Sequence, residues 1–171
     1  GLNWLHSADT PMIHLDLKLE NVLYDRHNTF KLGDFGLSGI LVSNAEFLQS
    51  CMKAPGNIAH MAPEIMQHER FSISADVYAF GVLCWEILHG KEWKSEVHRQ
   101  LRTVTGCAEI PKEKLGSVFK YHVIMNNFRP VIPSHWPSSL RKLLQACWSV
   151  HPSRRPSIDV VLRALPIVCK E

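Results

Sequence analysis

The chain has 171 residues, of which 46% are hydrophobic and 20% charged, and its 19 Lys and Arg against 16 Asp and Glu leave a net charge of +3. That apolar share supplies a core and excludes a disordered polymer, while so small a positive excess, with no basic run or stripe, argues against nucleic acid as a partner. The longest apolar stretch, 77–88, is interrupted by Glu86 and at about 12 residues falls well short of the roughly 20 that a membrane span requires.

Five cysteines stand at 51, 84, 107, 147 and 169, an odd number without a C-x-x-C pair. No local zinc ribbon or redox pair is encoded, Cys84 and Cys147 read as small core residues, and a reducing, cytoplasmic compartment is expected. The ten histidines include no H-x-x-x-H pair, so they read as ordinary core or surface residues rather than metal ligands. The chain opens on Gly1 with no signal-like apolar segment after it, and it reads as a piece of something longer. Without repeats or low-complexity tracts, 1–171 is expected to form one continuous unit.

Met12-Ile13 is a brief apolar run near the start. Val22-Leu23-Tyr24 and Phe30-Lys31-Leu32 follow, joined by the turn-like Asp25-Arg26-His27-Asn28, and this predicts a short β-hairpin. Residues 36–61 mix Gly36, Gly39, Pro55 and Gly56 with serines and predict a long loop, which in a compact domain is usually functional. From 76 to 89 the sequence is apolar nearly all round and meets Gly90. This predicts a central buried helix capped by Ser74 and stopped at the glycine. The polar, weakly patterned stretch 91–127 predicts one or two helices. Leu140, Leu143, Leu144, Cys147 and Trp148 keep helical spacing behind Pro137-Ser138-Ser139, and Ile158, Val161, Leu162 and Leu165 repeat it, with Ser157 as cap and Pro166 as stop. The fold class is therefore mainly α with a small β-hairpin unit.

Two acidic residues have distinctive surroundings: Asp16 in His14-Leu15-Asp16-Leu17-Lys18-Leu19-Glu20-Asn21, and Asp34 in Gly33-Asp34-Phe35-Gly36. A hairpin between them brings both loops to one end, so that Asp16, Lys18, Asn21 and Asp34 can converge. Two carboxylates, an amide oxygen and an ammonium suit Mg²⁺ and phosphate: hard oxygens hold the metal, and the lysine neutralises phosphoryl charge. The alternative for either segment alone is a turn-capping Asp with a solvated Lys18.

In this order the motifs resemble the C-terminal lobe of a eukaryotic protein kinase. Residues 14–21 are similar to the catalytic loop H-R-D-x-x-x-x-N, and Asp34-Phe35-Gly36 to D-F-G. Ala62-Pro63-Glu64 resembles the A-P-E that closes an activation segment, here 34–64. Asp76-Val77-Tyr78-Ala79-Phe80-Gly81 looks like the start of the family's buried helix, within a helical subdomain spanning 74–165, and Cys147-Trp148 with Arg155-Pro156 looks like its C-W…R-P element. The resemblance implies the C-lobe only, with the N-lobe missing from this chain, and ATP-dependent phosphoryl transfer to a protein substrate. Asp16 would orient or deprotonate the substrate hydroxyl, and Lys18 would sit by the transferred phosphate. Asn21 and Asp34 would hold Mg²⁺ against the phosphates of ATP. Leu23 would floor the adenine, Gly36 would complete the nucleotide site, Phe35 would pack inward, and Glu64 would pair with Arg155. Lys18, two places after Asp16, is the serine/threonine signature, and the C-W…R-P ending narrows this to the tyrosine-kinase-like group. For that group 91–127 is long, as a loop insertion would be.

The sequence departs from the family pattern at three places. Leu15 replaces the arginine of H-R-D, Asn57 stands where a threonine is usual, and His60 replaces a common tyrosine. No Gly-rich loop, β3-type lysine or αC-type glutamate is present, which implies an inactive fragment by itself. The second reading is a catalytically weak pseudokinase or scaffold whose surface binds regulatory protein partners.

Overall fold

A helix without a polar stripe is stable in water only when other elements surround it, and the segment the sequence marks as such organises the molecule. The computed structural model describes residues 1–40, 58–69, 72–90 and 93–168. In chain order the described elements are α1 (Leu2–His6), β1 (Met12–Ile13), β2 (Val22–Tyr24), β3 (Phe30–Leu32), β4 (Gly39–Ile40), α2 (Pro63–Met66), α3 (Ser74–His89), α4 (Trp93–Thr105), α5 (Lys112–Met125), α6 (Ser138–Cys147) and α7 (Ile158–Val168). Short 3₁₀ turns lie at Leu19–Asn21 and Pro152–Arg154.

Helix α3 lies between two apolar clusters. Tyr78, Val82 and Trp85 join Ile13, Met66, Leu101, Phe119 and Leu144, while Val77 and Ala79 join Leu2, Leu5, Leu17, Cys147 and Val161. Each such large apolar side chain contributes about 1.5–3 kcal/mol through its removal from water. The approach of α6 to α3 is so close that a Cβ at Gly81 would stand 2.7 Å from Cys147 Cβ. At its C-terminus α3 stops at Gly90 in the left-handed conformation, φ 66°, as the sequence predicts. Its start differs: Ser74 is the first helical residue rather than the cap, and its N–H donates to Ser72 Oγ at 3.3 Å.

The hairpin forms with register Val22↔Leu32, Leu23↔Lys31 and Tyr24↔Phe30. Asp25 closes its turn, its Oδ1 accepting the N–H groups of His27 (2.8 Å) and Thr29 (3.1 Å). The Lys31 ammonium at 2.6 Å, with those N–H groups, holds the Asp25 carboxyl below its ordinary value.

Two expectations change. The stretch read as a loop from 36 begins with β4, which pairs antiparallel with β1 (Met12↔Ile40, Ile13↔Gly39). Its central part, including Asn57, Ser43 and Ser50, lies outside the described residues. Pro166 does not stop α7, which continues to Val168. One missing N–H is tolerated there because Val168 is buried in the larger cluster. The polar stretch that follows α3 holds two helices, as expected of it, with the described part of α4 held to the body by Val97 and Leu101 and α5 by Phe119 and Val123.

Candidate active site

The site begins where β1 ends. Ile13 is fully buried, and the next two backbone N–H groups turn inward to Asp76 of α3: His14 donates to Oδ2 (2.8 Å) and Leu15 to Oδ1 (2.9 Å). His6 Nε2 lies 2.9 Å from the same Oδ2. This anchoring holds Leu15 at φ 66°, a conformation that costs an L residue roughly 1–2 kcal/mol and that reverses the chain just before Asp16. The His14 ring ties the two loops together: its Nδ1 accepts the Asp16 N–H (3.3 Å) and its Nε2 donates to the Gly33 carbonyl (3.1 Å). Those two partners fix its tautomer.

Asp16 is buried, and its Oδ2 accepts from Lys18 Nζ at 2.5 Å and from Asn21 Nδ2 at 2.9 Å. The same Asn21 amide donates to the Asp16 carbonyl (2.8 Å), and the Asn21 carbonyl accepts the Gly33 N–H (2.8 Å). The 3₁₀ turn makes this possible, because Asn21 N–H closes onto the Lys18 carbonyl at 3.1 Å and brings the amide back over Asp16. Asp16, Lys18 and Asn21 thus form one bonded cluster.

Asp34 joins it through its neighbour's backbone only. Among the described residues no hydrogen bond or ion pair links Asp34 to Asp16, Lys18 or Asn21; its Oδ1 accepts the Gly36 N–H at 3.2 Å, and its φ is 58°. Phe35, expected to pack inward, does so on one face, its ring 5.0 Å from that of His14, and remains about half exposed. Leu23 packs across Gly33, where a Cβ would stand 2.7 Å from its Cδ1, and is otherwise exposed.

The donor set fits Mg²⁺. Both Asn21 Nδ2 contacts go to Asp16, so its Oδ1 is the remaining acceptor, and Asp34 offers a second hard oxygen. Two protein oxygens do not make a cage, but Mg²⁺ retains waters and takes substrate phosphates in the other positions.

Glu64 and Arg155 pair in the interior, as the resemblance implies, at 2.7 and 2.8 Å. His60 is buried with Nε2 3.3 Å from Glu86 Oε2. The sequence marks Asp76 only as the start of the buried helix and does not single out His6; their partners lie 61 to 70 positions away, and no local spacing marks such a contact.

Residues 1–165 match the family model described as protein tyrosine and serine/threonine kinase. The chain is 38% identical over 165 residues to the dual specificity protein kinase shkC of Dictyostelium discoideum, covering 96% of this chain and 29% of that protein. It is 34% identical over 165 residues to shkA of the same organism (96% and 28%). With mitogen-activated protein kinase kinase kinase 10 of Mus musculus the identity is 34% over 178 residues (98% and 16%). The chain therefore spans less than a third of the length of these relatives. With its buried central helix, its hairpin and the loops that meet between them, it belongs to the protein tyrosine and serine/threonine kinase family and has the mainly helical fold of that family's C-terminal lobe.

Proposed function

We propose that the protein transfers the γ-phosphoryl group of ATP to serine or threonine hydroxyls of a protein substrate. The observation that carries this reading is the buried Asp16 carboxylate, held by Lys18 at 2.5 Å and Asn21 at 2.9 Å. In this role Asp16 orients the substrate hydroxyl and takes its proton, while Lys18 turns from Asp16 to the transferred phosphate and neutralises its charge. Asn21 and Asp34 are the residues that would hold Mg²⁺, which when bound offsets the charge of the phosphates. Leu23 and Gly36 line the nucleotide side, Leu23 giving adenine an apolar floor. The serine/threonine preference rests on Lys18, in keeping with relatives whose names include serine/threonine and dual specificity kinases.

A second reading, a scaffold that binds protein partners without efficient catalysis, draws on Leu15 and on the exposed Leu23, Phe30 and Phe35. Phosphate transfer from γ-labelled ATP to protein substrate by the full-length protein, compared with its Asp16→Asn variant, separates the two. The catalytic reading expects kcat to fall by roughly 10²–10⁴-fold, as for loss of a positioned base, with KM for ATP little changed. Equal rates in the two proteins would support the scaffold.

A further inference from the structure

Far along the chain from the loops at 14–21 and 33–36, a cavity of about 600 Å³ opens between residues 127–132, α6 and the turn Pro152–Arg154. Its formally charged lining residues are all arginines (Arg129, Arg141 and Arg154), with His151 beside them, and no Asp or Glu contributes to its wall. Among the described residues, no carboxylate pairs with any of these three guanidinium groups. Three cations around one concavity repel one another, and a low-dielectric wall strengthens that repulsion.

Arg129 is the informative member. Its Nε donates to the Trp148 carbonyl at 2.8 Å and its Nη1 to the Phe128 carbonyl at 2.7 Å. Its guanidinium carbon lies 5.1 Å from the centre of the Tyr78 ring. The remaining Nη2 is buried and has no hydrogen-bond partner among the described residues. Burial and the nearby Arg155 both weaken its hold on the proton, so an anion in the cavity would relieve a desolvated cation. Arg141 spends only Nε, on the Trp136 carbonyl (3.1 Å), and Arg154 is exposed on the short turn. Guanidinium groups with unspent N–H edges match the oxygens of a phosphate, which takes several such donors at once.

The cavity is larger than a phosphate ion needs and falls within the range of sites that enclose a sizeable ligand. Its other walls are mixed: Val131, Ile132 and Trp148 are apolar, and Asn127, Gln145 and Ser149 carry amide or hydroxyl groups suited to a peptide backbone. We propose that this cavity binds a phosphorylated serine or threonine side chain of a protein segment, with Arg129, Arg141 and Arg154 taking the phosphate and Val131 and Ile132 taking flanking side chains. A single carboxylate would leave most of the positive charge unmatched, whereas a dianionic phosphate offsets it. The inference does not rest on phosphoryl transfer at Asp16.

The test is calorimetric titration of the purified full chain with a short peptide carrying a central phosphoserine between apolar residues, and with its unphosphorylated twin. The phosphopeptide is expected to bind at least about tenfold more tightly, a difference of ~1.4 kcal/mol, and to lose that advantage in Arg141→Ala and Arg154→Ala. Arg154→Glu alone, at an exposed position that leaves the fold intact by circular dichroism, is expected to abolish it, while Arg102→Ala on α4 leaves it unchanged. Equal affinity for the two peptides, or full affinity in the Arg154 variants, would overturn the proposal. Displacement by inorganic phosphate at the same concentration as unlabelled phosphopeptide would overturn the assignment to a protein segment, as would tight binding of single-stranded RNA with indifference to phosphoserine.

Discussion

Leu15 donates its backbone N–H to Asp76 Oδ1 at 2.9 Å across 61 positions of sequence, and does so from a left-handed conformation at φ 66°. The bond couples the loop that carries Asp16 to the central helix α3. Because Asp76 Oδ2 accepts from His14 and from His6 as well, one side chain on α3 sets the start of that loop from two directions.

Asp76→Asn is therefore expected to destabilise the fold. Donors face both oxygens, so whichever way the new amide is turned its NH₂ meets an N–H. A buried donor left unsatisfied costs about 1–3 kcal/mol, and the urea midpoint of the variant should fall accordingly with an unchanged slope. An unaltered midpoint would show that the loop is held by other contacts.

Glu64 and Arg155 lie 91 positions apart and meet through two parallel hydrogen bonds of 2.7 and 2.8 Å. Arg155 also donates to the carbonyls of Ser149 and Ser74. Arg155→Met should cost about 3–5 kcal/mol by stranding the buried Glu64 carboxylate. Adding Glu64→Leu should recover part of that loss, since no charge is then left unpaired. Thermal melts of the two single variants and the double variant measure this, and losses that simply add would refute the coupling.

Asp34→Asn should weaken nucleotide binding only where the metal contributes. A fluorescent ATP analogue titrated into the full-length protein should bind more tightly with Mg²⁺ than with EDTA, and the variant should lose most of that difference. A variant that keeps the full Mg²⁺ effect would remove Asp34 from the proposed metal set.

Control by activation-segment phosphorylation is not expected. Leu15 gives a phosphate no cation, and between Asp34 and Glu64 the only hydroxyl residues are Ser38, Ser43 and Ser50. Of these, Ser38 donates its hydroxyl to the His14 carbonyl at 3.2 Å; the other two lie outside the described residues. Phosphatase treatment of the full-length protein, and the triple Ser→Ala variant at these positions, should each leave activity within about tenfold, ~1.4 kcal/mol of transition-state stabilisation. A larger loss in either would make phosphorylation part of the switch.

Burial pushes the Cys147 thiol up to about 12, from an ordinary value of 9.0. The folded protein keeps this thiol neutral where the unfolded chain would ionise it. The contribution to stability is therefore complete below pH 9 and is lost as the pH rises from 9 towards 12. Against Cys147→Ala, the native protein should show the steeper decline of its urea midpoint across that window. Thiol labelling mapped by mass spectrometry should meanwhile mark the exposed Cys107 and spare Cys147 at pH 8. Parallel pH profiles would refute the shift.

Local patterns were legible because their physics is local. Two short apolar runs around Asp25 specify a hairpin whatever surrounds them, and an apolar segment that meets Gly90 specifies a buried helix and its end. The bonded group of Asp16, Lys18 and Asn21 falls within six consecutive residues, so a single 3₁₀ turn assembles it. Tertiary structure decided what joins distant positions. Asp76 became the anchor of the Asp16 loop, β4 found β1, and α7 ran through Pro166, since long-range burial and hydrogen bonding outweighed the local signal in each case. The arginine-lined cavity was invisible in sequence for the same reason: Arg129, Arg141 and Arg154 sit on three separate segments, and only their packing around Trp148 turns scattered charges into one site.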